Sequence, residues 1–272
     1  MVGVLGVSAS AILVRFSQAP SGVTAAYRLG WTVLLLLPVV LLRCRAELRR
    51  VTARDLVLCG ASGVLLALHF LTWFESLKRT SVASSTVLVS TEVIFTALGF
   101  ALFLHGKIPR LGVWAILLAF GGSALLALSG GGGAGELSGN LLALAAASAA
   151  AVYTLIGRIQ RGHLSTTVYT FLTYLACFLT LLLGTAAAGT PLTGYGGREW
   201  LIGLALAVLC TLLGHSLFSW CLKYLSPSYV SAAKLCEPVF SSLAAIPLFG
   251  EVPGPLQLAG GAAVLGAVLL YT

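Results

Sequence analysis

Apolar residues along this chain come in blocks about twenty long, separated by short clusters of charge, proline and glycine. An α-helix rises about 1.5 Å per residue, so about twenty apolar residues cross the roughly 30 Å hydrocarbon layer of a bilayer. The breaks predict ten such helices, over 1–18, 22–42, 55–77, 81–104, 110–129, 138–158, 166–188, 199–222, 228–249 and 255–272. Little chain is left for a soluble domain. The first block lacks the basic start and small-residue cleavage site of a secretory signal, so it reads as a span that begins abruptly.

Composition supports this reading. Hydrophobic residues make up 58% of the chain and charged residues 9%, with a mean hydropathy of +1.01, well outside soluble globular ranges. The net charge of +8 is mainly a topology signal. With the N-terminus inside, the cytoplasmic loops hold Arg43, Arg45, Arg49, Arg50, Arg54, Lys107, Arg110, Arg158, Arg161 and Lys223, whereas the opposite side holds Lys78, Arg79, Arg198 and Arg15. Lys and Arg in short loops stay cytoplasmic. Both termini are therefore expected on the cytoplasmic side of the inner membrane, with "RCRAELRR" facing anionic headgroups. No nucleic-acid partner is needed to explain the basic balance.

The six cysteines form no CxxC and read as packing residues, neither a disulfide frame nor a metal site. The glycine-rich "SGGGGAGELSGN" and the "LHGK" at 104–107 lack the Lys-Ser/Thr that completes a phosphate loop. No cofactor is expected, and the 130–138 stretch reads as a linker between two halves, 1–129 and 139–272. Those halves repeat. "LKRTSVASSTVLVSTEVIF" (77–95) lies over "LKYLSPSYVSAAKLCEPVF" (222–240) without a gap, placing Glu92 on Glu237, and the segments just upstream open on His69 and His215. Each half then contains five spans. Five is odd, so the second half enters from the opposite face. The expected fold is all-α and integral to the membrane, ten helices in two inverted five-helix repeats.

Within the ninth block, Lys234, Glu237 and Pro238 interrupt an otherwise apolar or small run. A charge at bilayer depth costs about 2.5–3.5 kcal/mol on insertion scales, so such groups face a bundle interior or a wet cavity. Lys234 and Glu237 are three residues apart and share a helix face. Pro238 cannot donate to the carbonyl of residue 234, which predicts a kink and a free oxygen beside both charges. Glu92 joins them through the repeat. The competing reading is a closed Lys-Glu pair that only holds helices 4 and 9 together. His69 and His215 are either proton carriers or helix-bridging hydrogen bonds. Trp73, Phe74 and Trp220 would wall a cavity or sit in an interface belt. Arg28 either snorkels to the outer interface or binds an acidic group. Glu75, Glu136, Glu199 and Glu251 are expected at solvated loop edges. The small residues of "ALAAASAAA" and "GGAAVLGAVL" suit close helix packing, and the second run could serve a homodimer face.

The ten-span plan, "GELSGNLLALAAASAAAVYTLIGRIQRG" after the linker and the closing "AAKLCEPVFSSLAAIPLFGEVPGPLQLAGGAAVLGAVLL" resemble EamA-type members of the drug/metabolite transporter superfamily. The family's second-half pattern, Glu-Pro-Val followed by a Gly-Glu turn, is matched by Glu237, Pro238, Val239, Gly250 and Glu251. The first half departs from it. Thr91-Glu92-Val93 lacks the proline, and His105-Gly106-Lys107 replaces the Gly-Glu turn. The resemblance implies a secondary transporter exporting small polar or zwitterionic metabolites, amino acids first, by alternating access, with proton coupling an option. Cationic drugs are the alternative cargo. A membrane enzyme acting on a lipid is the distant alternative, and the absence of a spacing such as HExxH speaks against it.

Overall fold

The computed structural model describes residues 2–103, 110–129, 134–227, 230, 234 and 236–271, and every regular element among them is helical. The elements are α1 (Val2–Phe16), α2 (Ser21–Arg43), a short α3 (Arg45–Leu48), α4 (Ala53–Arg79), α5 (Val82–Val89), α6 (Glu92–Phe103) and α7 (Arg110–Ser129). They continue with α8 (Ala134–Gln160), α9 (Thr166–Ala187), α10 (Gly197–Ala205), a π-helical stretch (Leu206–His215), α11 (Ser216–Cys221), α12 (Cys236–Phe249) and α13 (Pro255–Tyr271). Among the described residues, six helical segments are long and apolar enough to cross a membrane: 21–43, 53–79, 82–103, 135–160, 166–187 and 197–221. Shorter apolar helices cover 5–16, 237–249 and 255–267.

Local chemistry sets the starts of several helices. Thr52 and Asp55 form a capping box at α4, the hydroxyl accepting from the Asp55 N–H at 3.2 Å and the carboxylate accepting from the Thr52 N–H at 3.0 Å. Ser81 and Ser165 cap α5 and α9 in the same way, each accepting from the third following N–H. The expected linker is shorter than 130–138. Residues 134–138 already belong to α8, Glu136 lies in its first turn, and 130–133 fall outside the described residues.

The polarity of the bundle is the reverse of a soluble protein's. Its surface carries Leu42 at 83% and Phe103 at 76% exposure, while Ser62, Ser76, Ser84, Ser85, Thr86 and Thr173 are fully buried. Lipid solvates the leucines; inside, Ser76 and Ser85 bond each other, Ser62 bonds the Tyr169 hydroxyl and Thr86 bonds back to the Val82 carbonyl. Small residues set the closest approaches. A side chain on Gly63 of α4 would stand 2.6 Å from the Thr173 carbonyl of α9, and one on Gly6 of α1 would overlap the Leu209 carbonyl in the π-helical stretch. The α13 glycines expected at a dimer face are partly used internally, since the Gly260 carbonyl lies 2.8 Å from where a Gly122 side chain would begin.

At the centre, α4 packs on α8 and α9, α2 packs on α9, and α1 packs on the π-helical stretch and on α12. α5 reaches α8, α12 and α13, and α7 pairs with α13 at the periphery. Both ends are tied by polar contacts. At one end Arg15 pairs with Glu251 and donates to the Leu77 carbonyl at 2.6 Å, and Glu251 also accepts from the Val82 N–H at 2.7 Å. Ser17 and the Gln18 N–H bond Glu199 there at 2.6 and 3.1 Å, and Ser21 bonds Glu75 at 2.9 Å. Glu199 is buried, not solvated, and Glu251 and Glu75 are spoken for. The expectation of free loop-edge carboxylates fails for these three because each satisfies backbone or hydroxyl donors where helices end. At the other end Asp55 accepts from His163 at 2.7 Å, and Arg158 donates to the Leu222 carbonyl at 2.6 Å.

Candidate functional site

Two interruptions of helical structure create the site. Between α5 and α6 the helix breaks at Ser90 and Thr91, so Glu92 becomes the first residue of α6. α12 starts at Cys236, which puts Glu237 and Pro238 in its first turn. The expected mid-helix kink at Pro238 is therefore a helix start, where a missing N–H costs nothing because no acceptor precedes it. In the first half hydroxyls take the proline's place. Thr86 donates to the Val82 carbonyl at 2.7 Å, Ser90 to the Thr86 carbonyl at 2.9 Å and Thr91 to the Leu88 carbonyl at 2.7 Å. Side chains that bond back to carbonyls three and four residues earlier bend and weaken a helix. Both glutamates thus sit at the positive end of a half-helix.

A cavity of about 30 Å³ opens between them, lined by Val7, Ser10, His69, Trp73, Val89, Glu92, His215, Lys234 and Glu237. That volume holds a water or two. Lys234 does not pair with Glu237 as its spacing suggests. Its ammonium lies 3.0 Å from both carboxylate oxygens of Glu92, and Thr154 donates to Glu92 at 2.9 Å. Lys234 precedes α12, which starts at Cys236, and stands in 3₁₀ geometry. Lys234 also lies 5.4 Å from the Phe218 ring. Glu237 is 8% exposed and has no hydrogen-bond or ion-pair partner among the described residues.

The rings of His69 and His215 lie edge to face, with centroids 6.4 Å apart. His69 Nδ1 lies 3.0 Å from the Ala146 carbonyl, and its ring stacks on Trp73 at 5.8 Å. His215 is delivered at the end of the π-helical stretch, whose wider turn also presents Thr211 inward. Thr211 accepts from Arg28 Nε at 2.7 Å. Arg28 is completely buried and does not snorkel: Nη1 donates to Ser10 at 3.0 Å and the guanidinium lies 4.2 Å from the Phe70 ring centre. Trp220 is half exposed, packs on Tyr224 and takes no part in the cavity. Phe74 is buried in the core behind Trp73.

Ser10, Thr154 and Thr211 escaped the sequence reading. Each is a single hydroxyl in an apolar run, and nothing in the sequence separates a hydroxyl that serves a buried charge from one that bonds its own helix. The site contains one satisfied ion pair, one unpaired carboxylate, two imidazoles and a buried guanidinium, and no described cluster of three metal-ligating side chains accompanies them.

The EamA-like transporter family matches residues 1–128 and 137–272. The chain belongs to that family. It is 24% identical over 207 residues to the pseudopaline exporter CntI of Pseudomonas aeruginosa, covering 76% of this chain and 72% of the relative. It is also 28% identical over 233 residues to a probable terminal-alkyne amino-acid exporter of Streptantibioticus cattleyicolor, covering 82% and 75% respectively. A solved crystal structure shares the fold at a TM-score of 0.71 and 18% identity, covering 99% of this chain and 94% of the other. The protein is thus a multi-pass membrane protein of a transporter family, and its named relatives are exporters.

Proposed function

We propose that this family member exports small polar or zwitterionic metabolites, amino acids first, across the cytoplasmic membrane, with its termini inside. In this reading two inverted five-helix halves, 1–129 and 139–272, rock about the cavity and expose it to each side in turn. One observation carries the proposal: the cavity is lined from both halves, and the Glu92–Lys234 ion pair joins them across it. Relative motion of the halves must change that pair. The packing pattern supports a two-fold relation between the halves. Exchanging each helix for its counterpart turns the contact of α4 with α8 into that of the π-helical stretch with α1, and the contact of α6 with α8 into that of α12 with α1. The pairs α2–α9 and α7–α13 map onto themselves. Glu237, buried and unpaired, is the group on which proton coupling would act, because a lone carboxylate in a closed cavity must take a proton, a cation or a substrate ammonium.

The same carboxylate supports cationic drugs as the alternative cargo. Purified full-length protein in sealed proteoliposomes, loaded in turn with radiolabelled L-leucine, L-phenylalanine or L-serine and with ethidium, separates the cargoes. At least one amino acid should leave faster than from protein-free vesicles and respond to an imposed proton gradient. In a cysteine-replaced background, Arg15→Cys with Glu251→Cys should stop that efflux when linked by a bifunctional thiol reagent, because the linkage locks one end of the bundle. Efflux that continues after complete linkage would rule out alternating access through this end.

A further inference from the structure

Two buried donors and one buried acid are left unsatisfied around the cavity. Arg28 Nη2 and Trp73 Nε1 have no hydrogen-bond partner among the described residues, although Arg28 is 0% and Trp73 3% exposed. Buried polar groups without partners are rare in folded proteins, and each one asks for a ligand, a water or a structural reason. Trp73 lines the cavity itself. Arg28 stands one side chain behind the wall, since Ser10 both lines the cavity and accepts from Arg28 Nη1. The remaining guanidinium contacts, to Thr211 and to the Phe70 face, fix its plane and leave Nη2 as the spare donor. Glu237 lines the same cavity with no partner among the described residues. Lys234 and Glu92, by contrast, already neutralise each other, and Thr154 takes a further lone pair of Glu92.

We propose that Arg28 Nη2 and the Trp73 indole N–H form a carboxylate subsite, and that Glu237 receives the ammonium of the same molecule, which makes the cargo a free α-amino acid or a similar zwitterion. The inference rests on the transporter reading and names its substrate class. A carboxylate has lone pairs enough for both donors and accepts from a guanidinium through charge-assisted bonds. An ammonium offers donors to Glu237, and the bound pair of opposite charges enters with no net charge, which limits the desolvation cost. A cationic amine would satisfy Glu237 and leave both donors orphaned. The Lys234–Glu92 pair is then the hinge contact between halves, not the anchor of the carboxylate.

The test uses the full chain in proteoliposomes, with each radiolabelled amino acid named above competed by its amide, which keeps the ammonium and lacks the carboxylate. For the amino acid that the wild type moves, Arg28→Met should weaken apparent affinity about tenfold or more, in line with the loss of a charge-assisted hydrogen bond. Inhibition by the amide should change less than about twofold, which also shows that the variant is folded. Arg28→Lys should recover part of the loss, because a point charge replaces the planar fork. Trp73→Phe should act on the same probe in the same direction. Equal affinity of wild type and Arg28→Met for the amino acid overturns the subsite and leaves the transporter intact. Efflux of ethidium with no amino acid moved overturns the zwitterion while preserving transport. If nothing crosses, the transporter reading itself falls, and the subsite falls with it.

Discussion

The first-half break at Glu92 and the second-half break at Glu237 occupy corresponding places and differ in almost every chemical detail. One is made by Ser and Thr side chains bonding back to helix carbonyls, the other begins at a proline in the first turn. Glu92 holds an ammonium at 3.0 Å and a hydroxyl at 2.9 Å, while Glu237 holds nothing among the described residues. In the function proposed above, the satisfied carboxylate fastens the two repeats together and the unsatisfied one is available to a ligand or a proton. Placement at a half-helix N-terminus is the shared physical requirement; a partner is what separates the roles.

The comparison is most sharply tested by removing one side of the satisfied pair. Lys234→Ala strands Glu92 and Glu92→Gln strands Lys234; breaking a buried pair costs about 3–5 kcal/mol because an uncompensated charge remains. Both single variants should lose most of their membrane yield and melt earlier by fluorescence-detected gel filtration. Glu92→Gln combined with Lys234→Met removes both charges and should recover much of that stability without recovering efflux. A double variant as unstable as the singles would show that the pair is not what the singles disturb.

Glu237 should behave in the opposite way. It has no partner to strand, so Glu237→Gln relieves desolvation and should leave thermal stability unchanged or slightly raised. Efflux of the amino-acid probe and its response to a proton gradient should both be lost. If Glu237→Gln destabilises the protein as much as Glu92→Gln does, the two glutamates share one structural role and the division proposed above is wrong.

Much of this was legible in the sequence, and what was not has a common cause. Blocks of apolar residues marked the six described segments long and apolar enough to cross a membrane, the ungapped overlay of 77–95 on 222–240 matched Glu92 with Glu237, and His69 and His215 head the segments just upstream; all four side chains line the cavity. These are one-dimensional signals that survive folding. Pairing is a three-dimensional outcome. The spacing of Lys234 and Glu237 implied a shared face only if the helix were continuous, and α12 starts after Lys234. Arg28 looked interfacial because it lies only about two turns into α2, yet α1 and the π-helical stretch cover it with Ser10 and Thr211. Local sequence carried no sign that the 197–221 segment would widen there. The His105-Gly106-Lys107 turn, which departs from the family pattern, lies outside the described residues.

The smallest expected effect concerns how each break is made. Val93 in α6 corresponds to Pro238 in α12, one residue after its glutamate. The Val93 N–H reaches only the Ser90 carbonyl, at 3.3 Å, a long contact across the break and not part of a regular ladder. A proline in a continuous helix costs about 3 kcal/mol or more, through the lost bond and a ring clash with the carbonyl four residues earlier. At Val93 the helical hydrogen-bond ladder is already interrupted at Ser90 and Thr91, so the lost-bond penalty shrinks, leaving the ring contact and the trimmed packing of a buried valine as the main costs. Val93→Pro should therefore melt within about 1–2 kcal/mol of wild type, whereas Ile202→Pro, inside the continuous turns of α10, should cost the full amount. Pro238→Ala should also be mild, because the N-terminal turn needs no proline to begin. Equal damage from Val93→Pro and Ile202→Pro would mean that the first half is a continuous helix through Glu92. The likeness of the two breaks would then fail at its starting point.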